Sequence, residues 1–245
     1  MTIRVHVHGA LGRMGGACID AVNGASDMEL CGTTDVGDDL AAALGAESPD
    51  VVVEFTVPDA VEDNVRTMLE AGVPVVAGTT GLPREKAVGL GNLAKEKGVG
   101  FLLAPNFAIG VILMQRFARE AAKHFDDVEI IELHHERKVD APSGTAIHTA
   151  DLIAVSAERA LNQGRPDETE TVRGARGGAQ SGIPIHSIRL PGLLAHQEVM
   201  FGGVGQVLTI RHDALDRRAF MPGVLLGIRS IRDHTGLIDS LEHLL

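Results

Sequence analysis

The chain has no tryptophan and no tyrosine, and seven phenylalanines are its only benzenoid side chains. Binding single-stranded nucleic acid needs aromatic platforms for base stacking inside a positive groove. Neither resource is here: the formal net charge is −11 and the isoelectric point is near 5.4. Duplex nucleic acid and anionic membrane surfaces select basic faces, so this balance argues against both as partners. Cysteine is scarce as well. Cys18 and Cys31 stand among small or apolar neighbours and read as free, buried thiols in a reducing compartment. No basic-then-apolar leader precedes Ile3, and no apolar run approaches the ~18 residues that span a bilayer. The expectation is a cytoplasmic protein with neither nucleic acid nor membrane as partner.

What is present is an ordinary globular composition, 245 residues with 44% apolar and 22% charged side chains, enough for one large domain or two modest ones. The acidic excess does not bar an anionic ligand, because a few cations and helix N-termini can gather locally. Arg13, Lys138 and Arg189 are candidates for such a cluster.

Strand and helix patterns alternate through the first hundred residues. Strands are expected at 3–8, 28–35, 51–55, 74–77 and 101–104, and helices at 12–23, 58–71 and 83–97, with Pro58 in the first turn of its helix and Gly72 as its stop. Repeated βα units of this length imply a Rossmann-type parallel sheet covered by helices on both faces. After Pro105 the pattern changes to a helix at 109–125, a strand at 128–134 and a helix from 143 to about 161. A polar stretch at 162–182 follows, then strands at 185–190, 198–201 and 207–212 and a closing helix at 220–232. Strands in succession indicate a second, α+β domain with a mixed or antiparallel sheet.

Two motifs carry chemistry. Gly9-Ala10-Leu11-Gly12-Arg13-Met14-Gly15 follows the first strand. Its glycines suit a tight turn, close approach of backbone to a pyrophosphate, and packing of the next helix on the sheet. Asp35, some twenty residues on at a strand end, suits a ribose hydroxyl pair and favours NADH, whereas Arg13 suits a 2′-phosphate; a capping role for Asp35 stays open. Gly78-Thr79-Thr80-Gly81 and Ala104-Pro105-Asn106-Phe107 each follow a strand, where cofactors bind in open α/β sheets, and each also fits a plain turn.

The second motif is Glu132-Leu-His-His-Glu-Arg-Lys-Val-Asp-Ala-Pro-Ser-Gly-Thr-Ala146. His134 and His135 end a strand on opposite faces, which suits two separate polar roles better than one shared metal. Ser143, Gly144 and Thr145 open a helix, either as a simple cap or as an anion site of amides and hydroxyls. His6 and His8 share a strand face and invite a metal-hydrolase reading, which needs further ligands on later strands and about eight βα units; the chain switches instead to clustered β-strands, and no metal site is expected.

These motifs, in this order over nearly the whole chain, resemble the dihydrodipicolinate reductase (4-hydroxy-tetrahydrodipicolinate reductase) family of lysine and diaminopimelate synthesis. Glu54-Phe-Thr-x-Pro58 and Ala104-Pro-Asn-Phe-Ala-Ile-Gly110 belong to the same match. The resemblance implies an NAD(P)H-dependent oxidoreductase that reduces a small dicarboxylate. His134 is then the proton donor and acceptor with Lys138 as its partner, and His135, Gly144 and Thr145 contact substrate. Gly9 to Met14, Asp35, Gly78 to Thr80 and Ala104 to Phe107 contact the cofactor, NADH or NADPH. It further implies a dinucleotide-binding domain of residues 1–105 with 214–245, a substrate-binding and oligomerisation domain of 106–213, and a homotetramer. Some relatives carry a basic residue where Leu11 or Val36 stands here, so this chain is expected to use NADH at least as well as NADPH. A cofactor-sensing module would have no need of His134 and Lys138, and a dehydrogenase for another amino or hydroxy acid is the nearest enzymatic alternative.

Overall fold

The computed structural model describes residues 2–164 and 167–245. Arg165 and Pro166, within the polar stretch 162–182, lie outside the described residues. The chain divides into two compact units, one running to Ile109 and resuming at Arg217–Leu245, the other Gly110–Asp216.

The first unit is built on β1 (Ile3–His8), β2 (Met28–Thr34), β3 (Val51–Glu54), β4 (Val75–Ala77), β5 (Gly100–Leu103) and β11 (Gly236–Ile238), interleaved with α1 (Arg13–Gly24), α2 (Leu40–Glu47), α3 (Val61–Glu70), α4 (Arg84–Lys97) and α7 (Met221–Ile231). The strands lie in the order β11-β5-β4-β3-β1-β2, every pair parallel. Val51, Val52 and Val53 are all fully buried. A run without alternation is what a strand covered on both faces requires. One core cluster joins Leu40 and Leu44 of α2, Val65 and Met68 of α3, Leu90 of α4, and Val52, Val75 and Phe101 of the sheet. Because the strands are parallel, the residues after β1 to β5 emerge at one sheet edge, where α/β folds bind ligands.

Two expectations need correction. The helix after β3 starts at Val61 rather than at Pro58, which sits in a preceding turn. The helix expected to reach residue 161 ends at Ala157, because Glu158 takes a left-handed conformation, φ 55°. Four short elements had no counterpart in the sequence reading: α2, β7 (Gly178–Gln180), β11 and a 3-10 turn at Leu241–Leu244. For α2 the cue was Asp39, whose side chain accepts the Ala42 amide at 3.0 Å as an N-cap.

The second unit carries α5 (Ile109–Ala122, its first residue in the other unit), β6 (Asp127–His134), α6 (Gly144–Ala157), β7, β8 (Ile183–Arg189), β9 (Ala195–Gly203) and β10 (Gln206–Ala214). Its sheet runs β10-β9-β6-β8-β7. β6 and β8 are parallel and the other pairs antiparallel, so the sheet is mixed. In β6, Val128, Ile130 and Glu132 are buried while Glu129, Ile131 and Leu133 are only partly so, the period of a strand with one well-covered face. α6 packs on β6, β7 and β8.

Candidate active site

In the first unit the glycine loop leaves β1 with Gly9 at φ 86°, a region glycine enters freely; a Cβ there would lie 2.3 Å from the Phe55 carbonyl oxygen. A Cβ on Gly15 would lie 2.1 Å from the Gly9 oxygen, so α1 packs against the loop only because residue 15 is glycine. Gly12 is the N-cap of α1 and offers no side chain to it. The first-turn amides therefore receive no side-chain cap and suit a phosphate. Ala10, Leu11 and Arg13 lie along this loop and helix start, with Leu11, Gly12 and Arg13 exposed and Met14 half-buried. This cradle fits a dinucleotide.

Asp35 follows β2. Its carboxylate accepts the Leu11 amide at 2.7 Å and the Val36 amide at 2.8 Å, and these bonds, Val36 first, hold its carboxyl below the usual range. Asp35 thus ties the loop to the sheet as a cap while remaining an ionised acceptor at a strand end.

Gly78 is set by packing rather than by φ: a Cβ would lie 2.1 Å from the Phe55 ring, which meets Phe107 edge-on at 6.0 Å. Thr79 is buried and its hydroxyl accepts the Thr56 amide at 2.8 Å, while Thr80 is exposed. Asn106 accepts the Ala108 amide at 2.8 Å, and Ala104 and Phe107 are buried beside exposed Pro105. Thr79, Thr80, Leu103 and Pro105 line one cleft of about 280 Å³ with Leu237 and Asp239. The last two come from β11 and its exit, and nothing in the sequence marked them.

In the second unit the organising group is Glu132, which the sequence reading quoted in its motif and gave no role. It is fully buried and saturated with donors. His134 Nδ1 lies 2.5 Å from Oε2, the Ser143 amide donates to Oε1 at 3.1 Å, and Arg189 grips both oxygens at 2.8 and 2.7 Å. Burial alone would raise the Glu132 carboxyl; hydrogen bonds from His134, Arg189 and Ser187 outweigh it and hold it at about 2. A neutral His134 ring that donates to this carboxylate carries its proton on Nδ1, which leaves Nε2 as the acceptor nitrogen. The carboxylate also ties that ring to the start of α6.

Arg189 does not have the role of a free anion receptor. Besides Glu132, it donates to the Asp140 carbonyl at 2.7 Å. Lys138 Nζ pairs with the Asp140 carboxylate at 2.8 and 2.9 Å. His135 Nδ1 is buried and has no hydrogen-bond partner among the described residues. Ser143 caps α6 through its hydroxyl, accepting Ala146 N–H at 3.2 Å, and exposed Gly144 and half-buried Thr145 form the first turn. The simple cap is therefore formed, and it engages the Ala146 amide rather than those of Gly144 and Thr145. Among the described residues, His6 and His8 meet a threonine hydroxyl and not each other.

A doubly wound parallel sheet with a glycine loop, joined to a mixed-sheet unit holding a carboxylate-oriented histidine, defines a two-unit nicotinamide oxidoreductase. The family model described as dihydrodipicolinate reductase, N-terminus, matches residues 3–107, and that described as dihydrodipicolinate reductase, C-terminus, matches residues 110–245. The 4-hydroxy-tetrahydrodipicolinate reductase of Geobacillus kaustophilus is 46% identical over 100% of both chains. That of Corynebacterium diphtheriae is 48% identical over 100% of this chain and 99% of its own. A solved structure of dipicolinate-bound dihydrodipicolinate reductase from Paenisporosarcina sp. TG-14 superposes with a TM-score of 0.91 at 40% identity, covering 100% of each chain. An amine dehydrogenase from Mycobacterium smegmatis, at 13% identity and TM-score 0.67 over 99% of this chain and 96% of its own, shares the fold. The chain belongs to the dihydrodipicolinate reductase family.

Proposed function

We propose that the chain catalyses the NAD(P)H-dependent reduction of the dihydropyridine dicarboxylate formed from 4-hydroxy-tetrahydrodipicolinate, giving tetrahydrodipicolinate in lysine and diaminopimelate biosynthesis. The first unit, up to Ile109 and again over Arg217–Leu245, binds the cofactor, and the second, Gly110–Asp216, binds the substrate. The observation that carries this reading is Glu132, which joins a proton-transfer histidine to the start of an anion-binding helix.

A bound nicotinamide would supply the hydride for C4 of the ring. The glycine loop and the open amides of α1 would hold its pyrophosphate, and Asp35 would accept from its ribose. Exposed Leu11 and Val36 stand where some relatives have basic residues, so NADH serves at least as well as NADPH. In the second unit the first-turn amides of α6 and the Thr145 hydroxyl take one carboxylate; a helix terminus contributes only about 0.3–2 kcal/mol, so several donors act together. Arg189 is held by Glu132 and Lys138 by Asp140, and His135, Lys138 and Arg189 are the candidates for the second carboxylate, with Lys138 also serving proton delivery. His134 Nε2 moves the proton that follows hydride arrival, with Lys138 as its partner. Such acid–base groups lower the barrier most when held in place beforehand.

The enzyme works as a homotetramer, consistent with apolar Val204, Val207 and Leu208 exposed on and beside β10. A cytoplasmic setting fits Cys18 and Cys31, both free. No helix among the described residues is long and apolar enough to cross a membrane.

Competition tests the substrate reading. Pyridine-2,6-dicarboxylate, flat and doubly charged, competes with substrate in an NADH-oxidation assay, and pyridine-2-carboxylate competes far less well. Equal inhibition by the two would mean that only one carboxylate is read, and the assignment would fall.

A further inference from the structure

The glycine loop and Asp35 rest on a buried polar chain that the reaction above does not use. His6 and His8 are two residues apart on β1, so both side chains leave one face, and both are buried. His6 Nδ1 meets Glu47 Oε2 at 2.5 Å and His6 Nε2 meets Thr34 Oγ1 at 2.8 Å. His8 Nδ1 meets that same hydroxyl at 2.8 Å.

Three sequence features build this chain. The register of β1 on β2 shifts between Val5 and His6, which skips Cys31 and sets His8 opposite Thr34. Gly32, the register partner of His6, has no side chain to obstruct Glu47: a Cβ there would lie 1.8 Å from Glu47 Oε2. α2 delivers Glu47 as its last residue.

The protons can be counted. An ionised Glu47 only accepts, so His6 Nδ1 donates to it, and Nε2 of the neutral ring accepts from the Thr34 hydroxyl. That hydroxyl has then used its one proton and accepts from His8 Nδ1. Every bond has one donor and one acceptor, and hydrogen bonds ordered in one direction strengthen each other.

Thr34 is the junction. Its carbonyl accepts the Gly9 amide at 2.9 Å and the Ala10 amide at 3.2 Å, while the next residue, Asp35, holds the Leu11 amide. We propose that Thr34, clamped by His6, His8 and Glu47, is a positioning residue for cofactor binding that holds the glycine loop and the ribose-binding carboxylate in mutual register. The inference rests on reading the first unit as the NAD(P)H site. Glycine loses more conformational freedom on ordering than any other residue, and ordering the loop before the cofactor arrives lowers the cost of binding.

The test compares Kd for NADH, KM for NADH and kcat in Thr34→Val, Thr34→Ser, Gly32→Ala and the control Asp35→Ala. Thr34→Val keeps the shape and deletes the hydroxyl. It is expected to weaken NADH about tenfold, equivalent to about 1.4 kcal/mol, with kcat at saturating NADH unchanged, and Thr34→Ser restores affinity. Gly32→Ala displaces only the flexible end of Glu47, so it folds even where Thr34→Val does not, and it is expected to weaken NADH about threefold. Wild-type affinity in Thr34→Val, or in Gly32→Ala where Thr34→Val does not fold, overturns the inference while weakened Asp35→Ala leaves the cofactor reading standing. Wild-type affinity in Asp35→Ala overturns the cofactor reading itself.

Discussion

A carboxylate at the bottom of a protein core is unstable unless donors surround it, and Glu132 is surrounded. Its ordinary value of 4.5 falls to about 2 in the fold. A depressed carboxyl contributes stability that is present above about pH 4.5 and lost as pH falls through about 2, here on the order of 3 kcal/mol. Urea midpoints of wild type and Glu132→Gln are therefore expected to converge as pH drops from 5 toward 2.5 (roughly the window between the two values). A gap that does not change with pH would show that charge is not what Glu132 supplies. The same carboxylate orients His134, so His134→Ala and Lys138→Ala are expected to lower kcat by about 10² to 10⁴-fold with little change in NADH affinity. Near-normal kcat in both variants would remove them from the chemistry. The burial of Glu132 has a cue in the sequence: Val128, Ile130, Glu132 and His134 alternate, which puts a carboxylate on the buried face and demands a partner. The partner, Arg189, lies 57 residues on across a parallel pairing of β6 with β8, and no local pattern reveals that.

Elements were legible where periodicity was long or burial complete. β1 and α4 lie where the apolar patterns put them to within a residue or two, because two-sided burial leaves uninterrupted apolar runs and helices leave capping residues. β7 and β11, three residues each, are too short to carry a period, and they exist because longer strands offer an edge to pair with. The turn from β2 to α2 matters most for cofactor choice. It places Asp35 between two exposed aliphatic residues, Leu11 and Val36, with Arg13 as the basic residue of the fingerprint. A fixed carboxylate opposes a 2′-phosphate through repulsion and lost ribose hydrogen bonds. We expect kcat/KM for NADH to equal or exceed that for NADPH, and Asp35→Asn to narrow the difference. A tenfold preference for NADPH, about 1.4 kcal/mol, would refute this.

At the scale of the whole molecule, the unresolved demand is the sheet of the second unit. One face of β6 is buried, but Glu129, Ile131 and Leu133 on the other are only partly covered. β10 is an edge strand whose Val207 and Leu208 are exposed beside Val204 in the preceding turn. Unpaired strand edges with apolar side chains invite pairing with other chains unless something covers them. The net charge of −11 resists indiscriminate association, and a defined assembly that covers this edge is the testable expectation. We expect sedimentation to give about four times the protomer mass of 25.8 kDa. Val207→Lys with Leu208→Lys should shift the distribution to smaller species, because a buried lysine without a partner is costly at an interface core. A monomer in the wild type at micromolar concentration would refute the tetramer, and a tetramer untouched by the double substitution would move the interface away from β10.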